Sequence, residues 1–221
     1  MAGLPRLAFV TIGETPRIDI VPEMLGEIGR PVEAVEFGVL DGLTDETRAP
    51  FAARDGEPSF ATRLSDGREF ACSQHEIEIR LNALLGEIDG KGFDAIVLLC
   101  TGTQIAPLKH TLVVEAQRIV DATVEALAGS CRRPGVVLPL KRQVDEFSDR
   151  HVFSFTPRLA AASPYAGDDI AACVAPLKGC DLTIMHCMGY TEAMLEQARA
   201  AIGGKVLLSR RLVAGVVRQL I

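Results

Sequence analysis

No stretch of this chain is apolar enough to cross a membrane. Its hydrophobic runs fall well short of the roughly 18 residues a helical span needs, although apolar residues make up 48% of the 221. Met1 to Val10 carries Arg6 inside a strand-like stretch and no cleavage-site pattern, so a cytoplasmic protein is expected. Positive charge is in deficit. With 23 Lys and Arg against 29 Asp and Glu, the net charge is −6. Arg132-Arg133 and Arg210-Arg211 form pairs rather than a stripe, which argues against nucleic acid as a partner. The six cysteines include no C-x-x-C pair, and a chain of this length needs no disulfide scaffold. Four scattered histidines offer no zinc motif, so no metal is expected. Both G-x-G-x-x-G and G-x-x-x-x-G-K-[ST] are absent, so no phosphate-binding loop is expected.

What the chain does contain is a repeat. Lys91-Gly92-Phe93-Asp94, an apolar run, then Cys100-Thr101-Gly102 returns as Lys178-Gly179-Cys180-Asp181, an apolar run, then Cys187-Met188-Gly189. Each copy reads as a strand whose C-terminal end delivers a cysteine into a turn. Around the repeat, strands alternate with helices. Strands are predicted at Leu7–Ile12, Val32–Phe37, Phe93–Cys100, Gly135–Leu138, Val152–Phe155, Leu182–His186 and Lys205–Leu208. Helices are predicted at Ile18–Ile28, from Ser73 as cap to about Asp89, and at Leu112–Leu127, Lys141–Phe147, Asp168–Leu177, Thr191–Ile202 and Arg210–Leu220. Leu40–Ser59 reads as a loop excursion, and Phe60–Ala71 as a hairpin about Asp66-Gly67 with a primed turn.

This alternation predicts an α/β protein of two pseudo-symmetric flavodoxin-like lobes, each a mostly parallel sheet flanked by helices, with an active-site cleft between them. The first lobe is expected over 1–115, with 208–221 returning to it, and the second over 116–207. Ligands of open α/β sheets bind at the carboxyl ends of the strands, where both cysteines fall.

Cys100 and Cys187 are therefore the candidate catalytic residues, a pair of acid/base thiols. A thiol pKa of about 8.5 is readily pulled towards neutrality by a helix N-terminus, and a helix-like segment is expected after each turn. Buried strand ends also carry cysteine for packing alone, but two at matching repeat positions favour chemistry. The turn after the first strand, Thr11 to Arg17, supplies Thr11, Gly13, Glu14, Thr15 and Arg17 as candidates to hold a small carboxylate. An ordinary turn with Pro16 starting a helix is the plain alternative. Thr101, Gly102 and Thr103 beside the first thiol, Met188, Gly189 and Tyr190 beside the second, and Pro139 in the turn after Leu138 complete the candidate substrate-binding set. Thr103 or Thr191 serves equally as a helix cap. His186 should point to the opposite face from Cys187, as a satisfied buried histidine. Ser209-Arg210-Arg211 is expected either at the cleft rim or on a solvated face.

The stretch Thr11-Ile12-Gly13 with Pro16-Arg17, the acidic excursion from Leu40 to Pro58, Phe93 to Leu99 and the Ser209-centred tail together resemble the AroM family. More widely, the chain resembles the aspartate/glutamate racemase superfamily, which includes hydantoin racemase, maleate isomerase and arylmalonate decarboxylase. Cys100-Thr101-Gly102 resembles the first cysteine turn of that superfamily and Cys187-Met188-Gly189-Tyr190 the second, with Met188 where Thr is usual. The resemblance implies two α/β lobes, no cofactor, and a racemase- or isomerase-like reaction on a carboxylate-containing substrate. A single-thiol decarboxylase, a maleate-isomerase-like addition and a non-catalytic carboxylate sensor use the same parts. Exposed edges in small two-lobed proteins often pair, which leaves a homodimer open.

Overall fold

The computed structural model describes residues 3–150 and 152–221, with residues 149 and 150 through their backbone only; of the N-terminal stretch read above, residues 1 and 2 lie outside it. The chain runs through β1 (Arg6–Thr11), α1 (Val21–Ile28), β2 (Glu33–Gly38), α2 (Asp45–Arg48), β3 (Ser59–Arg63), β4 (Glu69–Ser73), α3 (Gln74–Ile88), β5 (Ala95–Leu98), β6 (Val113–Glu115) and α4 (Ala116–Ala128). It continues through β7 (Pro134–Leu138), α5 (Arg142–Asp145), α6 (Phe147–Arg150), β8 (Arg158–Ala161), α7 (Ile170–Cys173), β9 (Leu182–Met185), α8 (Glu192–Ile202), β10 (Lys205–Leu208) and α9 (Ser209–Leu220). Among the described residues no helix is long and apolar enough to cross a membrane.

Two four-stranded parallel sheets result, ordered β2-β1-β5-β6 and β10-β9-β7-β8. Read from the other edge, the second is β8-β7-β9-β10, the same topology with β7 standing for β1 and β9 for β5. The protein is thus an α/β fold of two lobes. The repeated Lys-Gly-x-Asp pattern has a physical cause in each lobe. Gly92 and Gly179 both sit at positive φ, 77° and 78°, a region open to glycine at no steric cost. Asp94 then accepts from the Arg6 backbone N–H at 2.7 Å, and Asp181 from those of Arg132 and Arg133 at 2.8 and 3.0 Å. Each aspartate therefore fastens the start of its lobe's first strand, β1 or β7, beside the strand that leads to the cysteine.

The helix α1 buries Val21, Met24 and Ile28 on one face and ends at Gly29, at φ 69°. The last helix, α9, leaves the second sheet and packs against α1 and α4. Val213, Ala214 and Val217 of α9 join Leu7, Phe9, Val97, Val136 and Ile184 in a single apolar cluster that draws on both sheets. Around it, the hairpin and α3 pack on β1 and β5, while α7 and α8 pack on the second sheet.

Several local expectations are corrected. The helix predicted from Leu112 begins only at Ala116, because Val113–Glu115 pairs with β5 as an edge strand. The strand predicted at Val152–Phe155 forms at Arg158–Ala161 instead. Phe153 stacks on Phe155 with centroids 5.0 Å apart, which satisfies both rings without a ladder, and the chain joins β7 only after Pro157. The Leu40–Ser59 excursion holds a short helix, α2, capped by Thr44 and followed by a 3₁₀ turn. Ser73 precedes α3 without a side-chain cap bond. The hairpin turn is not a primed one: Gly67 alone takes positive φ, and the Leu64 N–H donates to Arg68 O across the loop. Pro22, rather than Pro16, sits in the first turn of α1.

Candidate active site

The carboxyl ends of β5 and β9 stop two residues short of Cys100 and Cys187, so each thiol sits just past the end of its strand. There they line one cavity of about 40 Å³, with Arg17, Thr101, Gly102, Pro139 and Met188. That volume holds a few waters at most, so the cleft is narrow. The cover is the β3–β4 hairpin, which contributes Phe60, Ala61 and Thr62 to the lining. It is fastened to both lobes. Gln143 Nε2 donates to Ser59 O at 2.8 Å and Ser163 Oγ bonds Glu69 from the second lobe; Glu14 Oε2 accepts from Ser65 N and Oγ, both at 2.7 Å, in the first.

Cys187 is the centre of a polar chain. The Gly189 N–H donates to its Sγ at 3.4 Å, and Tyr165 lines the same cavity. Burial pushes the Cys187 thiol above its ordinary pKa, opposed by the Gly189 N–H, Arg17, Tyr165 and Arg210. Tyr165 itself is pushed up, chiefly by burial and then by the neighbouring Cys187. Arg17 reaches this chain by donating Nη2–H to Tyr165 Oη at 3.1 Å. Its other bonds go to Asp19 (2.9 and 2.8 Å) and Thr11 Oγ1 (2.6 Å). Burial opposes the Arg17 charge, yet Tyr165 and Asp19 hold its pKa above the usual value. Burial likewise opposes ionised Asp19, but the bidentate Arg17 contact wins and holds its carboxyl low.

Gly189 is glycine because of Tyr165: a Cβ there would stand 2.3 Å from the tyrosine oxygen. Gly189→Ala is therefore expected to displace Tyr165 from the cavity. In wild type, alkylation of Cys187 by iodoacetamide should set in above the ordinary thiol pKa of about 8.5. In the variant the midpoint should move higher still. An unchanged pH profile by mass spectrometry would remove Tyr165 from the account of this thiol.

Of the residues chosen from sequence, Cys100, Cys187, Arg17, Thr101, Gly102, Pro139 and Met188 come together at the cavity. The rest do not line it. Glu14 is committed to Arg48 and Ser65. Thr11 accepts from Arg17 and from the Gly13 N–H. Gly13 lies under the hairpin, where a Cβ would come within 2.3 Å of Thr62 Oγ1. Thr15 is bonded to Asp41 through both N–H and hydroxyl. Thr103 is buried outside the lining, and Tyr190 turns into the second lobe to donate to Ala162 O at 2.6 Å. Even Thr101 donates its hydroxyl to His186 O at 3.1 Å, bridging the two lobes.

His186 is buried and its Nε2 pairs with Asp121 at 2.7 Å, although the residue also contributes to the lining. Thr191 caps α8 by accepting from the Met194 N–H. No helix follows Cys100; the chain runs irregularly to β6, so the expected dipole end is missing there. Arg210 lies neither at a rim nor in solvent. It is 2% exposed and donates to Met188 O, Asp19 O and Glu23. Thr62, Gln143 and Tyr165 escaped the sequence reading. The one available signal was Tyr165 in a Pro-Tyr-Ala-Gly turn, in a chain with just two tyrosines.

Comparison with known structures agrees with this architecture. A maleate cis-trans isomerase from Nocardia farcinica superposes with a TM-score of 0.58 at 14% identity, covering 98% of this chain and 92% of the other. A glutamate racemase from Thermus thermophilus gives 0.54 at 18% identity, covering 98% and 80%. Arylmalonate decarboxylase gives 0.51 at 10% identity, covering 98% and 92%. These likenesses place the fold among the racemase-type two-lobed proteins. No curated protein sequence is detectably similar. The profile described as AroM protein matches residues 7–221, nearly the whole chain, and the protein belongs to the AroM family.

Proposed function

We propose that the protein is a cofactor-independent enzyme of the racemase or isomerase type, acting on a carbon beside a carboxylate through Cys100 and Cys187. The observation that carries this reading is that two thiols, from corresponding strand ends of the two lobes, line one narrow cavity. In the proposed reaction one thiolate takes the proton from the activated carbon, and the other thiol returns a proton to the opposite face. Burial favours the neutral form of Cys187, which suits it as the donor. Cys100, half-buried, is then the base. Exclusion of water strengthens every electrostatic contact with the enolate-like transition state. Arg17, already paired with Asp19, holds Tyr165 beside the cavity rather than clamping the substrate. Glutamate, maleate and arylmalonate, the compounds named for the fold neighbours, are all carboxylates, which supports the substrate class.

A second reading, addition of one thiol to a carbon–carbon double bond, draws on another neighbour. A variant of the Nocardia farcinica isomerase carries a covalent succinylcysteine, at 12% identity and a TM-score of 0.56. One experiment separates the two. The protein is incubated in D2O with amino acids of both hands, hydantoins, maleate and an arylmalonate, and proton NMR follows deuterium at the α carbon, olefinic signals and loss of carboxylate. Deuterium at a saturated α carbon without loss of carboxylate supports the two-thiol reading, and maleate isomerisation alone supports addition. A silent panel would sink both.

A further inference from the structure

The hairpin over the cavity carries a hydroxyl for which the described residues supply no partner. Thr62, on β3, is 1% exposed and belongs to the cavity lining. Its Oγ1 makes no hydrogen bond among the described residues. Buried hydroxyls are paired as a rule, because desolvation without a bond is costly. The other hydroxyls of the lining obey that rule: Thr101 donates to His186 O, and Tyr165 accepts from Arg17 Nη2–H. Nor can Thr62 readily turn elsewhere. Its β-branched side chain has few χ1 choices, and its oxygen packs where any Cβ at Gly13 would be. Its strand is tethered at Ser59 by Gln143, and the Glu14 N–H donates to Arg63 O at 3.3 Å.

We propose that Thr62 is a substrate-binding residue, its hydroxyl donating to an oxygen of the bound carboxylate. The β3–β4 hairpin then belongs to the binding site itself, and ligand contact and closure become one event. This rests on the carboxylate-binding reading given above and adds to it a residue far from both cysteine turns in sequence.

The test uses Thr62→Val, which keeps the shape and loses the hydroxyl, and Thr62→Ser, which keeps the hydroxyl. Malonate, maleate, and the alanine and aspartate enantiomers are titrated against the intact protein. The readouts are protection of Cys100 and Cys187 from iodoacetamide and the ligand-induced rise in Tm. Wild type and Thr62→Ser should be protected with similar Kd, and Thr62→Val should bind about tenfold or more weakly, as loss of a hydrogen bond to a charged group implies. Without ligand, Thr62→Val should melt at or above the wild-type Tm, since it removes an unpaired buried group.

Equal protection of Thr62→Val and wild type would overturn the inference and leave the carboxylate reading standing. A ligand-free Tm several degrees below wild type would also overturn it, by showing that the hydroxyl is bonded within the protein. If none of these carboxylates protects the wild type, the carboxylate reading falls and this inference falls with it.

Discussion

Cys100→Ser and Cys187→Ser should each lower α-carbon deuterium incorporation by at least about a hundredfold, the lower end of what a positioned acid or base contributes. Serine keeps the size and the hydrogen-bonding capacity, but its hydroxyl neither ionises near neutrality nor returns a proton as readily as a thiol. The two losses should not multiply. Residues that act on one proton-transfer cycle form a unit, so the double variant should fall little below the worse single one. Carboxylate affinity, read by the Tm shift, should stay within a few-fold of wild type in all three variants. That split between binding and turnover separates an enzyme from a carboxylate sensor, in which the thiols are packing groups and every readout would survive. Retention of wild-type exchange in either single variant would exclude the two-thiol mechanism.

Arg210→Ala should be the most destabilising single change near the site. The guanidinium reaches from α9 to Met188 O at 3.0 and 2.8 Å, Asp19 O at 2.8 Å and Glu23 Oε2 at 2.5 Å. Truncation leaves two buried carbonyls without donors and opens a cavity in the helix layer. Removing one member of a buried ion pair costs about 3–5 kcal/mol. Because the Glu23 side chain is 39% exposed and regains water, the lower end, about 3 kcal/mol, is expected. Lysine should not restore it, since one ammonium cannot span acceptors set around a planar fork. The urea midpoint at unchanged slope measures this. A loss under about 1 kcal/mol would mean that the carbonyls find other donors. The residues anchored here are the neighbour of Cys187 and the partner of Arg17, so the fold and the thiol environment should weaken together.

What could be read from the sequence followed from local causes. The apolar run at Leu7–Ile12 is a strand because it is buried on both faces, a pattern that needs no partner to recognise. The Lys-Gly-x-Asp echo was visible because the same two demands, positive φ at glycine and a carboxylate facing a strand N-terminus, recur in both lobes. Cysteines at matching strand ends followed from that echo. The misread residues are those whose partner lies far along the chain. Glu14 looked like a ligand contact until Arg48 and Ser65 claimed it. Tyr190 and Tyr165 exchange roles for a similar reason: the tyrosine beside the thiol in sequence turns away, and one from the loop after β8 replaces it, through a gap that Gly189 leaves open. Thr62 carries no signal of its own, since a threonine in a hairpin strand is ordinary until the strand closes a cavity. Short edge strands such as β6 offer too few residues for any period to show.

The position of α9 has a consequence for how the chain is made. The helix comes after every element of the second lobe, yet Val213, Ala214 and Val217 pack with α1 and β1 of the first. The first lobe therefore cannot finish its core until the second lobe has been made. Met24 and Ile28 must wait, exposed, until α9 has been made and docked, and such exposed apolar surface is what draws nascent chains to chaperones or to one another. Docking of α9 on α1 and α4 thus ties completion of the first lobe to that of the second.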